Sequence, residues 1–282
     1  MVRVRWLGEE TCHATEEVGG KAANLSRLAF LHQVPLGFAL PAFPSEPGDA
    51  MPDEIAAAIH DAYRTLAERV GEDAPSVAVR SSALDEDGSN ASFAGQHDTF
   101  LNVTGGEAVV QAVVRCCESA RSAEALAYRA QQGLSQDCVE MAVLVQHLVP
   151  SDVSAVVFST NPVTKNEDEI VINASWGLGE SIVGGTVTPD MYVVRKSDLT
   201  VASREIAEKR LMTVLVPGGT KEVGVPRSLM KEPVLDDGGA ADMARLAIKL
   251  EQETGWPVDV ECAIAAGELY LLQCRPITGL GS

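Results

Sequence analysis

Val258-Asp259-Val260-Glu261-Cys262-Ala263-Ile264, then Ala265-Ala266-Gly267-Glu268, then Leu269-Tyr270-Leu271-Leu272-Gln273-Cys274-Arg275: two alternating runs flank a short connection containing glycine. That arrangement marks a β-hairpin. Side chains along a strand point to opposite faces with a period of two. Val260, Cys262, Ile264, Tyr270, Leu272 and Cys274 therefore read as an apolar face, and Asp259, Glu261, Gln273 and Arg275 fall on the opposite phase. For Glu261 and Gln273 to share that polar face the connection should have odd length, with Ala266-Gly267-Glu268 closed by Ala265 and Leu269.

A solvated sheet face would carry such polar groups at little cost. Carboxylate and amide oxygens are also hard ligands suited to Mg²⁺, and a nearby guanidinium can hold a phosphate through two parallel hydrogen bonds. Taken alone, the hairpin leaves both readings open. Two distant segments add to the second. Gly19-Gly20-Lys21 runs into Ala22, Ala23, Leu25, Leu28 and Ala29 at helical spacing, which puts Lys21 at a helix N-terminus where anions are favoured. Arg80-Ser81-Ser82 follows the short apolar run Val77-Ala78-Val79. A surface lysine after a turn and a salt-bridged arginine are the plain alternatives. Neither GxxxxGK[ST] nor GxGxxG occurs, so the two commonest nucleotide folds are not indicated.

Outward from these segments, the spacing predicts helices over 53–70, in two pieces within 105–131, and around Met243, Leu246, Ala247 and Leu250, the last closed by Gly255. Strands are predicted at Val77–Val79, Thr99–Val103, Met141–Val149, Val153–Ser159, Glu169–Ala174 and Met191–Arg195, with a glycine-rich turn from Gly177 to Gly185. Pro35, Gly37, Pro41, Pro44 and Pro47 predict a loop from Val34 to Pro52, and Thr213–Asp237 follows no clear period. The mixture of helices and strands predicts an α/β chain.

At 282 residues the chain can hold one large two-lobed unit or two small domains. Hydrophobic residues at 46% against 22% charged predict order throughout. The formal charge of −18 repels phosphate backbones and excludes general nucleic-acid binding, so any phosphate ligand must be held locally. Six cysteines without a CxxC or paired histidines signal neither a zinc site nor a disulfide framework. No run of eighteen apolar residues and no signal-like N-terminus is present, which predicts a cytoplasmic protein without a membrane partner.

Several longer stretches then fall in a familiar order: Val18-Gly19-Gly20-Lys21-Ala22-Ala23-Asn24-Leu25, Val79-Arg80-Ser81-Ser82-Ala83, and Ala91-Ser92-Phe93-Ala94-Gly95-Gln96-His97-Asp98-Thr99-Phe100-Leu101-Asn102-Val103. Val145-Gln146, Trp176-Gly177-Leu178-Gly179-Glu180 and Leu272-Gln273-Cys274-Arg275-Pro276-Ile277-Thr278 follow. Together they resemble the nucleotide-binding domain shared by phosphoenolpyruvate synthase, pyruvate phosphate dikinase and rifampin phosphotransferase. The resemblance implies an ATP-grasp fold, with residues 1–147 as a first lobe, 148–282 as a second, and ATP held between them. It implies that Lys21 and Arg80 hold the phosphates, that Gly95 and Thr99 belong to the loop over them, and that Gln146 and Leu148 lie in the adenine segment. It assigns Glu261 and Gln273 to Mg²⁺ and Arg275 to the terminal phosphates, with Lys21, Arg80 and Arg275 as the catalytic cations. Cys262 departs from the aromatic residue many relatives carry beside the metal-binding glutamate, a change expected to affect packing alone.

Enzymes of this type phosphorylate a histidine on a separate swivelling carrier, whose motif follows the ATP domain. No such motif follows Arg275-Pro276 here, and Thr11-Cys12-His13-Ala14 resembles it only superficially. The leading expectation is therefore an ATP-dependent phosphotransferase component acting on a histidine of a carrier domain or partner protein. A kinase passing phosphate directly to a small-molecule acceptor, and a nucleotide-binding regulatory domain without transfer, are the alternatives.

Overall fold

Cross-strand burial sorts the chain into two sheet-centred units. The computed structural model describes residues 3–44, 51–84, 99–131 and 140–279. One unit comprises Met1–Leu148 with Val216–Gly219, the other Val149–Leu215 with Thr220–Ser282.

The first unit is built on an antiparallel sheet of β1 (Arg5–Trp6), β2 (Gly37–Pro44), β3 (Val77–Ala83), β4 (Thr99–Val103) and β5 (Glu140–His147), in the order β1-β2-β5-β3-β4. Val77, Val79 and Ala83 of β3 join Val143 and Val145 of β5 in a core completed by α2 (Asp53–Val70) and α3 (Gly106–Ser119). Ile59, Leu66, Val109 and Val113 are fully buried there, each worth roughly 1.5–3 kcal/mol over an exposed side chain. The opposite phase of β3 carries Ala78, Arg80 and Ser82, and α1 (Thr15–Leu28) packs over that side. A fourth α-helix, α4 (Ala123–Gln131), and a short 3-10 turn at Glu10–Cys12 also belong to this unit.

Within the stretch from Val34 to Pro52, Gly37–Pro44 is not the loop its prolines predict, because it forms β2, paired on both sides; residues 45–50 lie outside the described residues. Phe38 and Leu40 are fully buried, and that burial outweighs the prolines. The sheet accommodates them: the register shifts between Leu40 and Phe43, so Pro41 sits at a bulge, and Pro44 ends the strand.

The second unit is a six-stranded antiparallel sheet of β6 (Val153–Phe158), β7 (Glu169–Trp176), β8 (Asp190–Arg195), β9 (Val201–Glu205), β12 (Val258–Ala265) and β13 (Glu268–Pro276), ordered β13-β12-β6-β7-β8-β9. The cross-strand row Val260–Val157–Ile172–Tyr192 is wholly buried. The helix α6 (Asp237–Thr254) packs against this sheet; Asp236 caps it by accepting from the Gly239 amide, and left-handed Gly255 closes it. The next row, Glu261–Val156–Asn173–Met191, faces the other way and is half-buried.

The unreadable stretch from Thr213 to Asp237 contains much of a two-stranded ribbon, β10 (Leu211–Val216) and β11 (Gly219–Gly224), followed by irregular chain. Polar anchors hold this region where apolar periodicity is weak. Asp190 and Lys209 form an ion pair whose side chains are both fully buried. Asp190 also accepts from the Ala207 amide (2.9 Å), the Val234 amide (2.8 Å) and the Tyr192 hydroxyl (3.4 Å). The Trp176–Glu180 motif, with its one-turn helix α5 (Glu180–Val183), serves the same segment. Trp176 Nε1 donates to the Leu229 carbonyl, the Leu178 amide donates to the Thr213 carbonyl, and Glu180 accepts from the Thr220 hydroxyl. Gly177 is required at this turn: its φ is +77°, and a Cβ would lie 2.3 Å from the Thr213 carbonyl oxygen.

Candidate functional site

In the first unit the sheet and a broken helix position the expected phosphate-handling residues. α1 is interrupted at Gly19, whose φ of 76° and ψ of 164° are not helical. The helix resumes immediately, so Lys21 lies in the first turn of the resumed segment, and its Nζ donates to the Ser81 carbonyl at 2.7 Å. A Cβ on Gly19 would stand 2.1 Å from the Ser82 carbonyl oxygen, so only glycine permits this approach of helix to strand. Arg80, 9% exposed, sits on β3 directly between Leu144 of β5 and Thr99 of β4. Cross-strand partners share a face, so Arg80 and Thr99 are neighbours on one side of the sheet. The structure thus brings Lys21, Arg80 and Thr99 to a single strand segment. Gly95 lies outside the described residues.

Gln146 lies on β5 opposite Gly37 and Ala78, is 3% exposed, and donates through Nε2 to the Pro35 carbonyl at 3.3 Å. Its neighbour His147 pairs with Glu72 at 3.3 Å. The Leu148 amide is fixed to the Ser76 carbonyl, and the Leu148 side chain is buried.

In the second unit the hairpin places Glu261 directly opposite Gln273, and Asp259 directly opposite Arg275. The expectation of a shared face therefore holds, but not through an odd-length connection. The turn has two residues, Ala266 and Gly267, with φ of 50° and 82°, closed by Ala265 and Glu268. Positive φ at both central positions matches the right-handed twist of the strands. Such a turn would bring Leu272 opposite Glu261; a bulge there inserts one residue and moves Gln273 into place. The bulge also corrects the expected apolar face. Leu271 and Cys274 pair with Cys262 and Val260 on the buried side, while Tyr270 and Leu272 pack with Val149, Ala263 and Ala265.

Cys262 is 1% exposed on the phase opposite Glu261, its thiol against the Ala155 carbonyl, and burial pushes its pKa up to about 12. A neutral thiol packed on the far side agrees with its expected packing role.

Asp259 is the residue the sequence reading left unassigned. Its Oδ2 accepts from both Nε and Nη2 of Arg275, each at 2.8 Å. Its Oδ1 is buried with no hydrogen-bond partner among the described residues. Burial raises the Asp259 pKa, and Arg275 pulls it back. The signal was available, since Asp259 stands two residues before Glu261 on the same phase. The two adjacent hairpin pairs therefore gather two carboxylates, an amide and a guanidinium, a set of hard oxygen donors with one unengaged carboxylate oxygen. That chemistry fits a magnesium ion and a phosphate. Among the described residues no group of three or more His, Cys, Asp or Glu is assembled as a metal cluster, and no helix is long and apolar enough to cross a membrane.

With this geometry in view, comparison with known proteins decides the family. The sequence profile described as "Pyruvate phosphate dikinase, AMP/ATP-binding domain" matches residues 48–282. The chain belongs to this family. A probable phosphoenolpyruvate synthase of Methanocaldococcus jannaschii is 45% identical to this AMP/ATP-binding domain over 231 residues, covering 82% of the chain. A rifampicin phosphotransferase of Streptomyces sp. is 38% identical over 230 residues, again covering 82%. The chain spans only 19% and 26% of those two proteins, so each match is to one part of a longer relative. Among solved structures, an acetyl-coenzyme A synthetase of Ca. Korarchaeum cryptofilum shows a distant likeness, with 10% identity, 84% of this chain and 86% of its own covered, and a TM-score of 0.39.

Proposed function

We propose that this chain is an ATP-dependent phosphotransferase component, binding Mg-ATP and passing a phosphoryl group to a histidine on a carrier domain or partner protein. The observation that carries the reading is the direct Glu261–Gln273 pair beside the Asp259–Arg275 pair, in a chain of the AMP/ATP-binding domain family. Glu261 and Gln273 are the proposed ligands of Mg²⁺, with Asp259 two residues before Glu261 on the same strand phase. When bound, the metal neutralises developing charge on the phosphate oxygens.

The protein's own contribution is positioning and charge. Phosphoryl transfer passes through a loose transition state with charge spread over the transferred oxygens, so fixed cations stabilise it without covalent chemistry. The Lys21 ammonium is held by the Ser81 carbonyl and the Arg275 guanidinium by Asp259, so these two cations need little reorganisation as charge develops, and Arg80 is placed by its strand. Gln146 and Leu148 are assigned to the adenine segment. The names of the relatives support a small molecule as the final acceptor: the Streptomyces relative is named for transfer to rifampicin, and the Methanocaldococcus relative for synthesis of phosphoenolpyruvate, itself a small phosphorylated molecule.

The test is transfer from β- and γ-labelled ATP to the histidine domain of a phosphoenolpyruvate synthase, mixed with this chain and Mg²⁺. Acid-labile label should appear on the carrier, and Arg275→Ala should slow it on the order of a thousandfold. Unlabelled carrier alongside intact ATP binding would leave the regulatory reading standing; label on His13 would show that the chain carries its own acceptor.

A further inference from the structure

A continuous α-helix would bond the Ala22 amide to the Val18 carbonyl, four residues back. Gly19 breaks α1 between them, and a side chain from another element occupies the gap. The Ser82 hydroxyl donates to the Val18 carbonyl at 2.7 Å and accepts from the Ala22 amide at 3.2 Å. Ser82 is fully buried, and both orphaned backbone groups are satisfied by this one oxygen. The residue before it, Ser81, receives the Lys21 ammonium on its carbonyl, and the residue before that is Arg80.

From this geometry we infer that Ser82 is a positioning residue for Lys21: it staples the broken helix to β3 so that the lysine is presented at a fixed distance from Arg80. The inference rests on the proposed role of Lys21 in holding ATP phosphates. A continuous helix would need no outside hydroxyl, and a break without one would leave the Val18 carbonyl and Ala22 amide buried and unbonded. Alanine at position 82 keeps the volume nearly constant while removing the staple. It should free the first turn of the resumed helix to shift, and Lys21 with it.

Nucleotide affinity of wild type, Ser82→Ala, Lys21→Ala and the double variant, measured by calorimetry with Mg-ATP, tests this. Ser82→Ala should raise Kd about tenfold, in line with one lost buried hydrogen-bonded bridge. Lys21→Ala should raise it further, and the double variant should bind no more weakly than Lys21→Ala alone, because Ser82 acts through that lysine. A Ser82→Ala loss that persists in full on the Lys21→Ala background, or no loss at all, would overturn the positioning role. Wild-type affinity in Lys21→Ala would instead remove the ATP-holding role on which it rests. Amide hydrogen exchange on the wild-type protein gives a check independent of variant folding. Ala22 should be protected, and rapid exchange there would contradict the staple.

Discussion

The Asp190–Lys209 pair offers a graded test of how the irregular segment before α6 is held. Both side chains are fully buried, but they are not equivalent. Lys209 contributes one ammonium, which also donates to the Ala207 carbonyl at 3.1 Å. Asp190 accepts from four donors: Lys209 Nζ, the Ala207 and Val234 amides and the Tyr192 hydroxyl. Breaking a buried pair by removing one partner costs about 3–5 kcal/mol, chiefly through the charge left behind. Lys209→Met leaves a carboxylate that keeps three donors and should fall near the lower end, about 3 kcal/mol. Asp190→Ala leaves a buried ammonium and strips the Ala207 and Val234 amides of their acceptor, each adding about 1 kcal/mol or more, while the Tyr192 hydroxyl keeps the Leu235 carbonyl at 3.1 Å; about 5 kcal/mol or above is expected. Urea unfolding read by circular dichroism gives the stabilities, and hydrogen exchange locates the loosening, which should concentrate in residues 205–236. Equal losses in the two variants, the reverse order, or a loss below about 1 kcal/mol for both would refute the assignment of Asp190 as the hub of this segment.

Gly19→Ala should destabilise the first unit by at least about 2 kcal/mol, since its φ is positive and its Cβ would meet the Ser82 carbonyl; an unchanged unfolding midpoint would show that the kink is not enforced. Burial raises the thiol of Cys12 to about 11 and that of Cys262 to about 12, so the thiolate fraction at pH 8 is negligible. Iodoacetamide at that pH should therefore label neither in the folded protein and both in urea, as mass spectrometry would report.

The parts of the fold that were legible in sequence are those where burial follows one period. The residues of α2 recur at helical spacing because one face is buried against a sheet, and β6 to β8 are strongly apolar because one face of each is wholly covered. β2 was hidden because prolines signal breaks, and nothing local shows that a bulge absorbs Pro41. The ribbon of β10 and β11 was hidden because side chains distant in sequence, Asp190 and Trp176, fasten its surroundings. At the candidate site, phase alone put Glu261 and Gln273 on one face. The means differed, because a two-residue turn and a bulge can give the same pairing as an odd loop. Phase places Arg275 on the polar face, but its pairing with Asp259 depends on the cross-strand register that the bulge sets.

We propose that ATP is held through Lys21 and through a metal bound by Glu261 and Gln273. Calorimetric titration of the purified chain with ATP, in magnesium and then in EDTA, tests it most directly. One saturable site is expected in magnesium, weakened by Lys21→Ala and by Glu261→Ala, with the Glu261→Ala difference collapsing in EDTA. Absence of binding in magnesium, or binding of equal strength in wild type and both variants, would contradict it.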